Sequence, residues 1–264
     1  MKKLLKIKNL TLEMTRRCNY TCPHCMRGES QNYDLSIETI NKLFDNEEFT
    51  LVEVEDIFIT GGEPFYNPDA FLYLIEKIWN SNVQVKDFGC IVNGSIYEEK
   101  VMKSLEKLLL KGVNVKLFTN FDQYHFFEDS VVAKLRQYEF YEYRKANINN
   151  DLLYRFGRAK ANDLGDVFLT AEQEELFYRY NHSYMRFWQD KDYLLVRDLY
   201  VTAKGTFGNL VTYNADYEMI DSMCVRSIVN DSLFDDAIIK LENLSNFISY
   251  DKYERDKKVN ILKK

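Results

Sequence analysis

Residues 9–15 alternate apolar and polar side chains, the period of a strand with one buried face, and run directly into Arg16-Arg17-Cys18. Ser36 then reads as the cap of a helix whose apolar positions Ile37, Ile40, Leu43 and Phe44 fall at helical spacing. A second strand is predicted over 54–60, stopped by Gly61-Gly62, and a helix over 70–79. The same alternation gives a strand over 83–92 ending at Asn93-Gly94, and a helix from the capping box Ser95–Glu98 to about Leu110. A strand over 113–119 and a helix over 130–138 follow. Repeated strand–helix units predict parallel strands with helices outside and an active face at the strands' carboxyl ends.

The second half is less regular. A capping box at Thr170–Gln173 predicts a helix with Leu176, Tyr180 and Tyr184 on its apolar side. A strand over 193–201 turns at Lys204-Gly205 into 206–213. A last helix is expected from Ser232 through Ile238, Leu241 and Leu244, ahead of a charge-rich tail from 251. The fold class expected is α/β: a partial (β/α)6 barrel over 1–210, with a small α/β extension and helical tail over 211–264.

Composition narrows the class. With 46% hydrophobic and 29% charged residues among 264, the chain has material for both a core and a solvated surface, which excludes a wholly disordered chain. A formal charge of −6 argues against a nucleic-acid-binding face spread over the surface, so no DNA partner is expected. The lysine-rich start lacks an unbroken apolar stretch, and no window approaches 18 apolar residues. Neither a signal peptide nor a membrane partner is predicted, and the expected location is cytoplasmic. The 19 tyrosines and 18 phenylalanines suggest flat apolar surfaces in or around a cavity, and the aromatic runs at 138–144 and 178–188 read either as core packing or as a substrate-facing wall.

Chemistry enters with the cysteines. Three of the five, Cys18, Cys22 and Cys25, lie within eight residues, where a secreted disulfide framework would spread an even set. Such spacing aims three thiolates at one iron–sulfur cubane and leaves one iron open for an exchangeable ligand. Zinc is the rival reading, and it needs a fourth ligand. His24 sits inside the loop, and His125 and His182 are remote in sequence. Cys90, in an apolar run, reads as core.

Cys18-Asn19-Tyr20-Thr21-Cys22-Pro23-His24-Cys25 after a first strand resembles the signature loop of the radical S-adenosylmethionine (SAM) superfamily, with His24 in its usually aromatic place. Gly61-Gly62-Glu63-Pro64 after the second strand matches the second hallmark. The resemblance implies one 4Fe-4S cluster on Cys18, Cys22 and Cys25, with SAM chelated at the open iron. Reductive cleavage then yields methionine and a 5′-deoxyadenosyl radical that abstracts a substrate hydrogen. Within it, Gly61 and Gly62 let backbone approach the methionyl moiety, and Glu63 supports the loop or the methionyl ammonium. His24, Pro64, Asn93, Asn120, Asp122 and Arg158 are further cofactor-binding candidates, each of Asn93, Asn120, Asp122 and Arg158 with a plain turn or helix-end alternative.

Asp122 with His125, and Gly157-Arg158-Ala159, resemble segments of peptide-modifying members. Residues 199–209 resemble the entrance to their cysteine-rich extension, yet no cysteine follows until Cys224, so a second cluster is not expected. Cys224 is either a buried small residue or a hydrogen donor to a substrate radical. The substrate expected is a peptide or protein, undergoing a modification such as epimerisation or cross-linking, with flavodoxin or ferredoxin as electron donor. A small heterocycle or nucleotide-like substrate is the second reading, and a non-catalytic zinc- or cluster-binding module the third.

Overall fold

The alternation at the amino terminus reaches further back than residue 9. In the computed structural model β1 spans Lys3–Glu13, with Leu5 and Ile7 buried on one face and Leu10 and Leu12 on the other. A strand covered on both sides is what a parallel sheet between layers requires. The structure describes residues 2–25, 27–47, 49–145, 157–164, 187–189, 193–208, 224–227 and 238–240.

The next strands are β2 (Phe49–Thr60), β3 (Gln84–Ile91), β4 (Asn114–Phe121) and β5 (Tyr141–Lys145), each parallel to the one before. Between them run α1 (Ile37–Phe44), α2 (Pro68–Asn80), α3 (Glu99–Leu110) and α4 (Asp129–Leu135). Another strand, Tyr193–Val201, pairs parallel with the far side of β1. Counting Phe187–Gln189 as β6 makes it β7, so the parallel run is β7-β1-β2-β3-β4-β5. These are the six parallel strands expected, in a sheet that stays open. Phe71, Leu74 and Ile78 of α2 and Val101, Leu105 and Leu108 of α3 are buried with Ile57, Phe88 and Leu117 of the sheet, each at helical or alternate spacing.

Three expectations change. The aromatic run at 138–144 supplies β5, because Tyr141 pairs with Leu117 and its side chain is buried at the sheet edge. The Ser95–Glu98 capping box does not form: Glu98 caps α3 without a side-chain bond, and Ser95 Oγ bonds Asn19 and Asn93 instead. Ile238–Lys240, expected in a final helix, is a strand (β10) parallel to β6, which runs antiparallel to β7. The predicted turn at Lys204-Gly205 is present, joining β7 to β8 (Thr206–Gly208), and β9 (Cys224–Ser227) pairs with β8. The helix expected after Thr170, residues 209–213 and the tail from 251 lie outside the described residues.

The seam between β7 and β1 is closed by buried charge. Glu13, fully buried, takes Arg27 Nη1 on one oxygen at 2.5 Å, and Arg16 Nε and Ala203 N–H on the other at 3.2 and 3.0 Å. Arg27 also donates to Tyr200 Oη at 2.6 Å and to Thr60 Oγ1 at 3.2 Å, so one guanidinium touches the ends of β1, β2 and β7. Removing the anion would take the buried carboxylate away from both guanidiniums, and a broken buried pair costs about 3–5 kcal/mol. Glu13→Ala should lower unfolding stability by that amount, read from the urea midpoint at unchanged slope.

Candidate active site

The cysteine loop begins where β1 ends and is cinched at its neck. Thr15 and Asp34 form an antiparallel bridge, Arg16 N–H donates to Tyr33 O at 2.9 Å, and Leu35 N–H donates to Met14 O at 3.0 Å. Thr15 Oγ1 bonds Asp34 Oδ1 at 2.6 Å, and Asp34 also holds Arg17. Cys18, Cys22 and Cys25 are all free thiols carried inside this neck.

The Gly61–Pro64 segment lies directly against the loop. Gly62 N–H donates to Thr15 O at 2.7 Å and Glu63 N–H to Arg17 O at 2.8 Å. A Cβ on Gly61 would meet Thr15 O at 2.4 Å, and one on Gly62 would meet Arg17 O at 2.1 Å; Gly61 also has φ +153°. The bare α-carbons are therefore required by the contact between the two loops. Pro64 opens a short 3-10 turn, Pro64–Tyr66, capped by Glu63.

Glu63 is wholly buried. Its Oε1 accepts from Phe65 N–H at 3.2 Å and its Oε2 from Asn93 N–H at 2.6 Å. Burial pushes its carboxyl up to about 7 in spite of those two donors. Asn93 follows β3 and points Nδ2 at Cys18 Sγ, 3.8 Å away, and at Asn19 Oδ1, 3.0 Å away. Glu63, Asn93 and Cys18 thus form one connected group.

Beyond β4, Asp122 accepts from the backbone N–H groups of Tyr124 and His125 at 2.7 and 3.0 Å, and its other oxygen pairs with His125 Nδ1. His125 Nε2 lies 3.2 Å from His24 Nε2, Tyr124 stacks on His24, and Phe126 meets Tyr20 edge-on. This segment therefore covers the cysteine loop, with Asp122 one step removed from it. His24 is driven down to about 4 by burial, and its Nδ1 is buried without a partner among the described residues. Asn120, at the end of β4, is half-buried and has no side-chain hydrogen bond among the described residues.

Arg158, expected at a ligand carboxylate or a solvated helix end, is buried and bonds the loop backbone: Nε reaches Cys22 O at 3.0 Å. It stands in α5 (Gly157–Ala161). Cys90 is core, as expected, at 1% exposure. Cys224 opens β9 opposite Gly208. Sequence reasoning missed Arg27 and Asn162, whose only signal is a polar side chain near a motif.

The donor set fits an iron–sulfur cluster. Burial raises the Cys18 thiol, and it raises Cys22 to about 11; the nearby thiols add to both. Thiols raised in this way ionise when a polycationic centre compensates them. His24 Nδ1, in the same loop, is a buried polar atom with no partner among the described residues.

The superfamily model for radical SAM proteins matches residues 12–150, more than half of the chain. The chain belongs to the radical SAM superfamily. The expectation of a radical SAM enzyme core, with a 4Fe-4S cluster and SAM as its cofactors, holds. GTP 3′,8-cyclase of Staphylococcus epidermidis is 32% identical over 118 residues, covering 42% of this chain and 34% of that protein. An uncharacterized protein of Methanocaldococcus jannaschii is 29% identical over 121 residues, covering 41% and 38%. The chain spans about a third of the length of the curated relatives it matches. Among solved structures, anSMEcpe with bound AdoMet and Cp18Cys peptide superposes at a TM-score of 0.49 with 13% identity, covering 86% of this chain and 79% of that one. Streptococcus suis SuiB bound to precursor peptide SuiA gives 0.35 and 11%, covering 84% and 65%. Among the described residues no helix is long and apolar enough to cross a membrane.

Two outcomes follow from the radical SAM geometry. Gly62→Ala should sharply reduce iron retained after anaerobic reconstitution, while Gly112→Ala, where a Cβ meets nothing within 4 Å but φ is +89°, should cost some folding stability and still retain the iron. The raised carboxyl of Glu63 means that the folded metal-free chain holds a proton the unfolded chain releases above its ordinary 4.5. Stability should therefore be full below that value and fall by about 3 kcal/mol as pH rises to 7, since each pH unit crossed between the unfolded and folded values costs about 1.4 kcal/mol. Glu63→Gln should flatten that slope in urea titrations at successive pH values.

Proposed function

We propose that Cys18, Cys22 and Cys25 hold the one 4Fe-4S cluster, that SAM binds beside Gly61–Pro64, and that the chain removes a hydrogen atom from a peptide or protein. The observation that carries this reading is the backbone contact between the cysteine loop and Gly62-Glu63, which brings both hallmarks to the ends of β1 and β2. When bound, the two cofactors supply reductive cleavage of SAM and a 5′-deoxyadenosyl radical.

The chain's own residues do the rest. Asn93 Nδ2 donates toward Cys18 Sγ and stabilises its thiolate form. Glu63 accepts two backbone N–H groups and keeps lone pairs for the methionyl ammonium, whose positive charge favours the ionised carboxylate. Residues 122–126 exclude water from the His24 side of the loop, and His24 Nδ1 awaits a ligand's polar group. Asn120 is left as a candidate for the SAM ribose or methionyl group.

A peptide substrate is supported by the Asp122–His125 pair and by the strand–turn–strand that sets Cys224 opposite Gly208, in a chain resembling peptide-modifying members. In this reading Cys224 returns a hydrogen atom to the substrate radical, and a flavodoxin or ferredoxin delivers the electron. The match to GTP 3′,8-cyclase over 118 residues favours a second reading, a nucleotide-like substrate.

Anaerobic reconstitution should give about four irons per chain and 5′-deoxyadenosine only with SAM and a reductant. Alanine at any of Cys18, Cys22 or Cys25 should abolish both, and zinc in place of iron would overturn the reading. Cys224→Ala should preserve 5′-deoxyadenosine formation while eliminating modified peptide; unchanged product formation discards the hydrogen-donor role.

A further inference from the structure

Four carbonyls of the cysteine loop converge on one short segment far along the chain. Arg158 N–H donates to Cys25 O at 2.9 Å, Arg158 Nε to Cys22 O at 3.0 Å, and Arg158 Nη2 to Tyr20 O at 3.4 Å. Asn162 Nδ2 donates to Pro23 O at 3.1 Å and back to Arg158 O at 2.9 Å, which ties the segment to itself. The loop's backbone between its first and third cysteines is thus held from one side by residues 158 and 162.

Neutral donors would suffice for carbonyls. The residue present is an arginine whose side chain is 8% exposed, and among the described residues its charge has one ion-pair partner, Glu29 Oε1, 3.3 Å from Nη1 without hydrogen-bond geometry. The Glu29 side chain is 60% exposed, so water and salt screen much of its compensation. A cation taken out of water is expensive unless an anion matches it nearby. The anion that completes this balance is the thiolate-ligated cluster on the loop that Arg158 grips; this step rests on the cluster assignment above.

We propose that Arg158 is the buried counter-ion of the cluster as well as the clamp of its loop, and that its charge raises the cluster's reduction potential. Reduction adds one negative charge to the cluster, and a fixed cation in a low-dielectric surrounding stabilises that state more than the oxidised one. Arg158 is in this sense a positioning and tuning residue, and Asn162 a positioning residue alone.

The test uses the full chain, reconstituted anaerobically, with iron counts first and the midpoint potential then followed by electron paramagnetic resonance. Arg158→Gln should shift the midpoint to more negative values, and Arg158→Lys, which keeps the charge, should stay near wild type. Asn162→Ala should leave the midpoint unmoved while speeding amide hydrogen exchange across 18–25 in the metal-free chain. Arg158→Met, which removes the charge and keeps much of the side-chain bulk, supplies the measurement if Arg158→Gln does not fold. Equal shifts in Arg158→Gln and Arg158→Lys, or an unmoved midpoint in the charge-removing variant, would reduce Arg158 to a backbone clamp and overturn the proposal. A wild-type chain without about four irons overturns the cluster assignment and this proposal with it, whereas iron-replete protein with unmoved potentials overturns this proposal alone.

Discussion

Two backbone hydrogen bonds, Gly62 N–H to Thr15 O and Glu63 N–H to Arg17 O, hold the rest of the site together. They extend the β1–β2 ladder past the point where both strands have ended, the last regular contact being Met14 N–H to Thr60 O at 2.8 Å. Because the ladder continues, the loop with the thiols and the loop with the buried carboxylate cannot drift apart without unpairing the central strands. Glycine is the residue that lets the chains come this close, since any side chain at 62 would overlap the Arg17 carbonyl.

Local signals wrote the first half of this fold plainly. Alternation gave β1 to β4, and Ser36 caps α1 as the sequence reads, its Oγ accepting from Thr39 N–H. Where local signals misled, a tertiary partner had claimed the residue. Ser95 has the makings of a helix cap, but Asn19 and Asn93 compete for its hydroxyl and hold it at the cysteine loop. The run at Tyr141 carries polar and charged residues that a central strand would not tolerate, and it becomes an edge strand where Glu142 and Arg144 face water. Ile238–Lys240 has a helical period and yet pairs as strand, because non-local hydrogen bonding outweighs short-range spacing.

The chemistry was legible in the same uneven way. Cysteine spacing and the Gly-Gly-Glu-Pro run declare themselves because ligands and tight backbone contacts demand fixed residue types at fixed intervals. Arg158 was visible as a residue but not in its role, since nothing local says that a guanidinium will fold back onto carbonyls 136 positions earlier. Arg27 is similar: its contact with Thr60 exists only once β2 lies beside β1, and its contact with Tyr200 only once β7 has docked on the other side. Long-range polar contacts of this kind leave almost no trace in a single sequence.

The bridge between Thr15 and Asp34 has a consequence for durability. Since the segment leaves and rejoins the scaffold at adjacent rungs, its ends stay closed whatever fills its interior, and the entropy of closure is met by the fold instead of by the metal. Oxygen damage to an inorganic core seated there would empty a pouch without unravelling its rim. With the proposed cluster on this loop, a chain built in this way would be refilled in place, by fresh iron and sulfide rather than by a new round of folding.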